Sequence, residues 1–226
     1  MLGKLPRAKI LRQVNELAFD EDTTKIGGPD DSKSAPPDRA TAGPLDESEA
    51  NTVRPYVDLG GIKILPREGL QLRLEVEEGS KRVVAVGLDY VGSSLQVQPF
   101  AAPRTTGLWN EIRQQIAQQI AKQGGSSKEV SGPFGPELVA EIAAASPGQP
   151  SSDRRARFIG VDGPRWFLRG VIAGDAVVNP EAAKKVEDLF RSIVVVRGNG
   201  PMPPRDLIPI VVPAGATAGP DGAKSV

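Results

Sequence analysis

The chain has 226 residues, no cysteine, no histidine, and 28 basic against 28 acidic side chains. Disulfides, thiolate catalysis and cysteine-based zinc or iron–sulfur sites are thereby excluded, as is every triad, haem site or facial-triad iron site that needs histidine. Glycine and proline are dense towards both ends and sparser between them, which argues for one core with tails.

The zero net charge hides polarity along the chain. Residues 1–19 hold Lys4, Arg7, Lys9 and Arg12 against Glu16, and Ile10, Val14 and Leu17 fall at helical spacing. A short helix is expected there, read either as a fraying end or as a basic docking or membrane-surface helix. Residues 20–51 carry nine acids against Lys25, Lys33 and Arg39. With Gly27-Gly28-Pro29, Pro36-Pro37 and few large apolar groups, 20–54 reads as a disordered acidic linker, too poor in apolar surface to offset its ordering entropy. Within it Thr23 and Thr24 follow Asp20-Glu21-Asp22 and are candidate phosphorylation sites, since phosphate there would suit an arginine cluster.

Residues 55–197 read as a single α+β domain. Ile62 to Leu65 is a short strand; Leu70, Leu72, Leu74 and Val76 alternate with polar neighbours, and so do Val84 to Tyr90 and Leu95 to Val97. The short turns between them predict antiparallel neighbours. Trp109, Ile112, Ile116 and Ile120 then form one stripe of a helix that Gly124-Gly125 ends, with Gln114, Gln115, Gln118 and Gln119 on its other face. Strands follow near Val130 and over Leu138 to Ile142, and a hairpin joins Arg157–Val161 to Trp166–Ala173 through Asp162-Gly163-Pro164. Asn179-Pro180 opens a last helix as N-cap and first helical residue, and the valine run Ile193 to Val196 closes the domain as a strand buried on both faces. Prolines 201, 203, 204, 209 and 213 keep 198–213 extended, packing along the domain, and 214–226 is expected as a disordered tail. Helices separated by hairpins indicate α+β, a mainly antiparallel sheet with two principal helices packed on it.

Chemical motifs are sparse. Gly222-Ala223-Lys224-Ser225 lacks the spacing of a phosphate loop, and no carboxylate cluster has metal-loop spacing, so no cofactor or metal site is expected. The most distinctive segment runs from Arg157 to Gly170. Its functional reading makes Arg157, Arg165, Trp166 and Arg169 a binding surface for an anion, a peptide or a nucleic acid. Its structural reading puts Trp166, Leu168 and Ile172 on one layer and Phe167 and Val171 on the other, with Arg169 snorkelling at the edge.

Several blocks of sequence carry a resemblance. Gly107-Leu108-Trp109-Asn110-Glu111-Ile112-Arg113, Gly132-Pro133-Phe134-Gly135-Pro136-Glu137-Leu138, the segment Arg157 to Gly170, and Val194-Val195-Val196-Arg197-Gly198 with Pro201 to Asp206 resemble an actinobacterial family, domain of unknown function 3710, over about residues 50–213. The resemblance implies a cytoplasmic actinobacterial protein and carries over no catalytic residue. The order of elements is more loosely similar to the Mog1/PsbP-type sandwich, whose members are mostly binding or assembly modules.

No stretch approaches the roughly 18 apolar residues of a membrane span, and the opening residues lack a secretory apolar run. A cytoplasmic binding module is therefore expected, non-catalytic, with protein partners and a regulatory N-terminal arm whose acids cover a basic patch. Two alternatives stay open: an enzyme using Asp or Glu with a divalent metal, and a weak single-stranded nucleic-acid binder, although no part of the chain is basic enough to predict nucleic acid from charge.

Overall fold

The alternating stretches fold as strands and the 3.6-period stripes as helices. A computed structural model describes residues 30–77, 79–80, 82–143 and 155–212, with the backbone of two further dipeptides, 217–218 and 224–225. In chain order the strands are β1 (Leu45–Asp46), β2 (Val57–Asp58), β3 (Ile62–Ile64), β4 (Gln71–Val76), β5 (Val83–Tyr90), β6 (Ser93–Ala101), β7 (Ser126–Gly132), β8 (Gly135–Glu141), β9 (Arg155–Asp162), β10 (Trp166–Gly174), β11 (Val194–Val195), β12 (Thr217–Ala218) and β13 (Lys224–Ser225). The principal helices are α1 (Trp109–Lys122) and α2 (Pro180–Arg191). The expected helix in 1–19, the part of the expected linker before residue 30, Thr23 and Thr24 lie outside the described residues.

Nine strands form one antiparallel sheet in the order β12-β13-β4-β5-β6-β10-β9-β8-β7. At its centre β6 and β10 pair without interruption from Trp166↔Ala101 to Gly174↔Ser93. Tyr90 opposes Ser93, so Val91-Gly92 is a two-residue hairpin loop with both φ angles positive, the backbone that follows strand twist. A smaller sheet has the order β1-β11-β3-β2, with β1 parallel to β11 and the other pairs antiparallel. The class is α+β, mainly antiparallel, with two principal helices.

Strand alternation sorts the core into two layers. Trp166, Leu168 and Ile172 of β10 join the cluster that holds Val186, Leu189 and Phe190 of α2 and Ile62, Ile64 and Val195 of the small sheet. Phe167 and Val171, pointing the other way, join Trp109, Ile116 and Ile120 of α1. The two helices therefore cover opposite faces of the large sheet. Trp109 stacks on Phe167 at 5.9 Å, and Gly160 lies beneath it, where any Cβ would run into the indole. Asn179 caps α2, accepting from the N–H groups of Glu181 (2.9 Å) and Ala182 (3.3 Å). The cap of α1 comes from far along the chain: buried Asp162 accepts from the N–H groups of Leu108 (2.8 Å) and Trp109 (3.4 Å).

The stretch 30–54 differs from the expected disordered linker. Ser34 and Asp162 exchange hydrogen bonds, Ser34 N–H to Asp162 Oδ2 at 3.0 Å and Asp162 N–H to Ser34 O at 2.8 Å. Arg39 makes a two-pronged ion pair with Glu49 (2.6 and 2.8 Å), and Asp46 with Glu49 forms a capping box on the short turn Glu47–Glu49. These are polar and backbone contacts, so hydrophobic content underestimates how the segment is held. At the other end, Ile208 N–H donates to Pro99 O (2.9 Å) and Val211 N–H to Leu59 O (2.8 Å), laying 207–211 along the domain. Among the described residues no helix is long and apolar enough to cross a membrane.

Candidate anion-binding cleft

The four residues singled out between Arg157 and Arg169 do not share a surface. Alternation places Phe158 with the α1 layer, so Arg157 looks towards α2, where it bridges Glu137 (2.8 Å) and Glu187 (2.7 Å). Burial pushes the Glu137 carboxyl up despite Arg157; Arg157 is lowered by burial but raised overall by the two carboxylates. Arg169 does not snorkel. It is 1% exposed on the opposite face, hydrogen-bonded to Gln98, and burial brings it down to about 10 against the pull of Glu75. Position four after Arg165 on a central strand is inward, and the neighbouring strands leave no edge to snorkel to. Trp166 is fully buried, with its Nε1–H bonded to Asp46 Oδ2 (2.9 Å) and Arg39 stacked over the ring at 5.6 Å. It offers no platform for a nucleic-acid base. Arg165, at the β9–β10 turn, is half-buried, as is the ion-paired Arg157.

That turn forms one wall of a cleft of about 710 Å³. Its lining includes Arg104 from the loop before α1, Pro164 and Arg165 from the turn, Arg197 and Asn199 from the segment after β11, and Asp46 from β1. Arg165 Nη2 donates to Gly198 O and Arg197 Nη1 donates to Gly200 O (2.8 Å), so both guanidinium groups are steered by carbonyls, not neutralised by acids. Burial and then the neighbouring Arg165 charge push the Arg197 pKa down. Arg197 Nε is buried with no hydrogen-bond partner among the described residues.

The acids of the cleft are already engaged. Asp46 takes Trp166 on one oxygen and the Ser48 N–H (3.0 Å) and hydroxyl (2.6 Å) on the other. Burial would raise its carboxyl, but those bonds and the Arg39 charge hold it below the usual range. Glu47 is paired with Lys63 at 2.8 Å. Elsewhere Arg39, Arg73, Arg113, Arg157, Arg191 and Arg205 each face a carboxylate. Arg104, Arg165 and Arg197 form no ion pair among the described residues. A cleft with three uncompensated guanidinium groups is suited to an anion, because charge-assisted and forked N–H···O bonds are available to phosphate or carboxylate oxygens.

Sequence reading reached Arg165 and not Arg104, Arg197 or Asp46. These come from separate parts of the chain with no common period, and only the shared lack of a nearby acid marks Arg104 and Arg197 in the sequence. Among the described residues no three Asp or Glu side chains group in a way that could hold a metal ion. No curated protein and no solved structure matches the chain. A family model does, over residues 43–219, which take in both sheets up to β12, both helices and every residue of the cleft. The chain belongs to that family, described as Protein of unknown function (DUF3710).

Proposed function

We propose that the protein is a non-catalytic binding module whose arginine cleft receives an anionic group, phosphate or carboxylate, of a protein partner. The observation that carries this reading is the convergence of Arg104, Arg165 and Arg197 on one cleft whose two acids, Asp46 and Glu47, pair with none of them, in a protein whose other described arginines are largely ion-paired. Burial first, and then the nearby Arg165 charge, disfavour the charged form of Arg197, and an anion in the cleft would offset the second of these.

The test is a titration with inorganic phosphate followed by backbone amide chemical shifts. The amides of Arg197, Gly198 and Asn199 are expected to shift saturably. Arg165→Ala should weaken binding about tenfold or more, since a hydrogen bond to a charged group contributes roughly 1.5–3 kcal/mol. If the cleft amides stay still while others move, or if the variant binds as the parent does, the reading fails.

A further inference from the structure

The described chain begins at residue 30, eight residues after the acidic stretch Asp20-Glu21-Asp22. Asp31 O accepts from Gly107 N–H at 2.8 Å, and Lys33 Nζ donates to Gly163 O (2.6 Å) and Pro164 O (2.8 Å). Pro164 is itself part of the cleft lining, and Arg104 lies three residues before Gly107. The N-terminal arm thus joins the fold at the rim of the arginine cleft.

We propose that the arm's own Asp20-Glu21-Asp22 occupies this cleft, pairing with Arg104, Arg165 and Arg197 and competing with any external anion; the proposal rests on the anion-binding reading of the cleft. Three arguments support it. Reach is sufficient: the eight residues from Asp22 to Asp30 span up to roughly 26–29 Å when extended. Charge is complementary: three consecutive acids meet three arginines that have no carboxylate partner among the described residues, whereas the cleft's own acids are held by Trp166, Ser48 and Lys63. Tethering supplies the rest, because a short linker holds the acids at an effective concentration in the millimolar range, enough to populate a contact that would be weak between separate molecules.

The absence of cysteine makes the test direct. A spin label on Thr24→Cys in the full chain is expected to broaden the amides of Arg197, Gly198 and Asn199. That broadening should fade with added salt and disappear when the arm is neutralised as Asp20→Asn/Glu21→Gln/Asp22→Asn, or when Arg104→Ala opens the exposed side of the cleft. In the unlabelled full chain, neutralising the arm should lower the apparent Kd for inorganic phosphate about two- to fivefold, the relief expected when a tethered competitor is removed. Broadening elsewhere, or broadening indifferent to neutralisation, overturns the proposal. If phosphate still titrates the cleft amides in that case, the anion-binding reading survives without its internal occupant. If phosphate leaves them unmoved even in the neutralised chain, both fall together.

Discussion

Asp162 sits where three parts of the chain meet. Its side chain accepts backbone N–H groups from Ser34 (3.0 Å), Leu108 (2.8 Å) and Trp109 (3.4 Å), and it is 2% exposed. Burial raises its carboxyl, while those three donors and the charge of Lys33 pull it down. The carboxylate suits the site because every neighbour it meets is a donor. Asp162→Asn removes the charge but turns an NH2 group towards a backbone N–H, leaving buried donors facing each other. The expected loss is about 1–3 kcal/mol, the cost of an unsatisfied buried group. A denaturant midpoint unchanged from the parent would refute this role. The same residue explains why the turn after it, which carries Pro164 and Arg165 to the cleft, is fixed relative to α1 and to the segment around Lys33.

At the scale of elements, helix α2 is tied to the large sheet by more than its apolar stripe. Arg157 on β9 bridges Glu137 on β8 and Glu187 on α2, and Glu137 Oε1 is buried without a partner among the described residues. Burial holds the Glu137 carboxyl above its ordinary value near 4.5. Stability linked to protonated Glu137 is then complete below about pH 4.5 and is lost as pH rises through the higher folded value. Glu137→Gln has no such dependence, so its stability relative to the parent should improve from about pH 4 to about pH 7, read from urea midpoints at each pH. A difference that is flat or moves the other way would mean that the Arg157 pairing outweighs burial.

How much of each element the sequence discloses follows from the kind of contact that holds it. β4, β5 and α2 are legible because Leu72 and Leu74, Val86 and Leu88, and Val186, Leu189 and Phe190 repeat at the period of their own backbone. The small sheet is not: β1 and β11 are two residues each, paired in parallel across most of the chain, and no local period marks such a contact. Arg169 illustrates a different limit. Alternation alone assigns it inward, but the cost of burying a charge argues for the edge, and only the neighbouring Gln98 and Glu75 show how the inward position is tolerated. The cleft is the least legible feature, since Asp46, Arg104, Arg165 and Arg197 become neighbours only after both sheets have formed.

For the whole molecule, the consequence is that the folded unit starts well before the first residue of the apparent domain. Residues 30–50 contribute β1, the Arg39–Glu49 pair, the acceptor for Trp166 Nε1, and the Ser34 partner of Asp162. They also supply Asp46 and Glu47 to the cleft, so a chain lacking them would lose one wall of the candidate site together with part of its stability. Removing residues 1–29 and removing residues 1–50 should therefore have different effects. The longer deletion leaves the buried Trp166 Nε1–H without Asp46 and exposes the edge of β11, and it is expected to cost about 2–5 kcal/mol beyond the shorter one, as two or more buried polar groups lose their partners. Thermal or urea unfolding of the two chains decides the point. Equal midpoints would mean that 30–50 only drapes over a domain complete without it; a lower midpoint for the longer deletion makes this stretch a structural part of the fold, and makes the wall of the cleft and the stability of the Trp166 layer a single property.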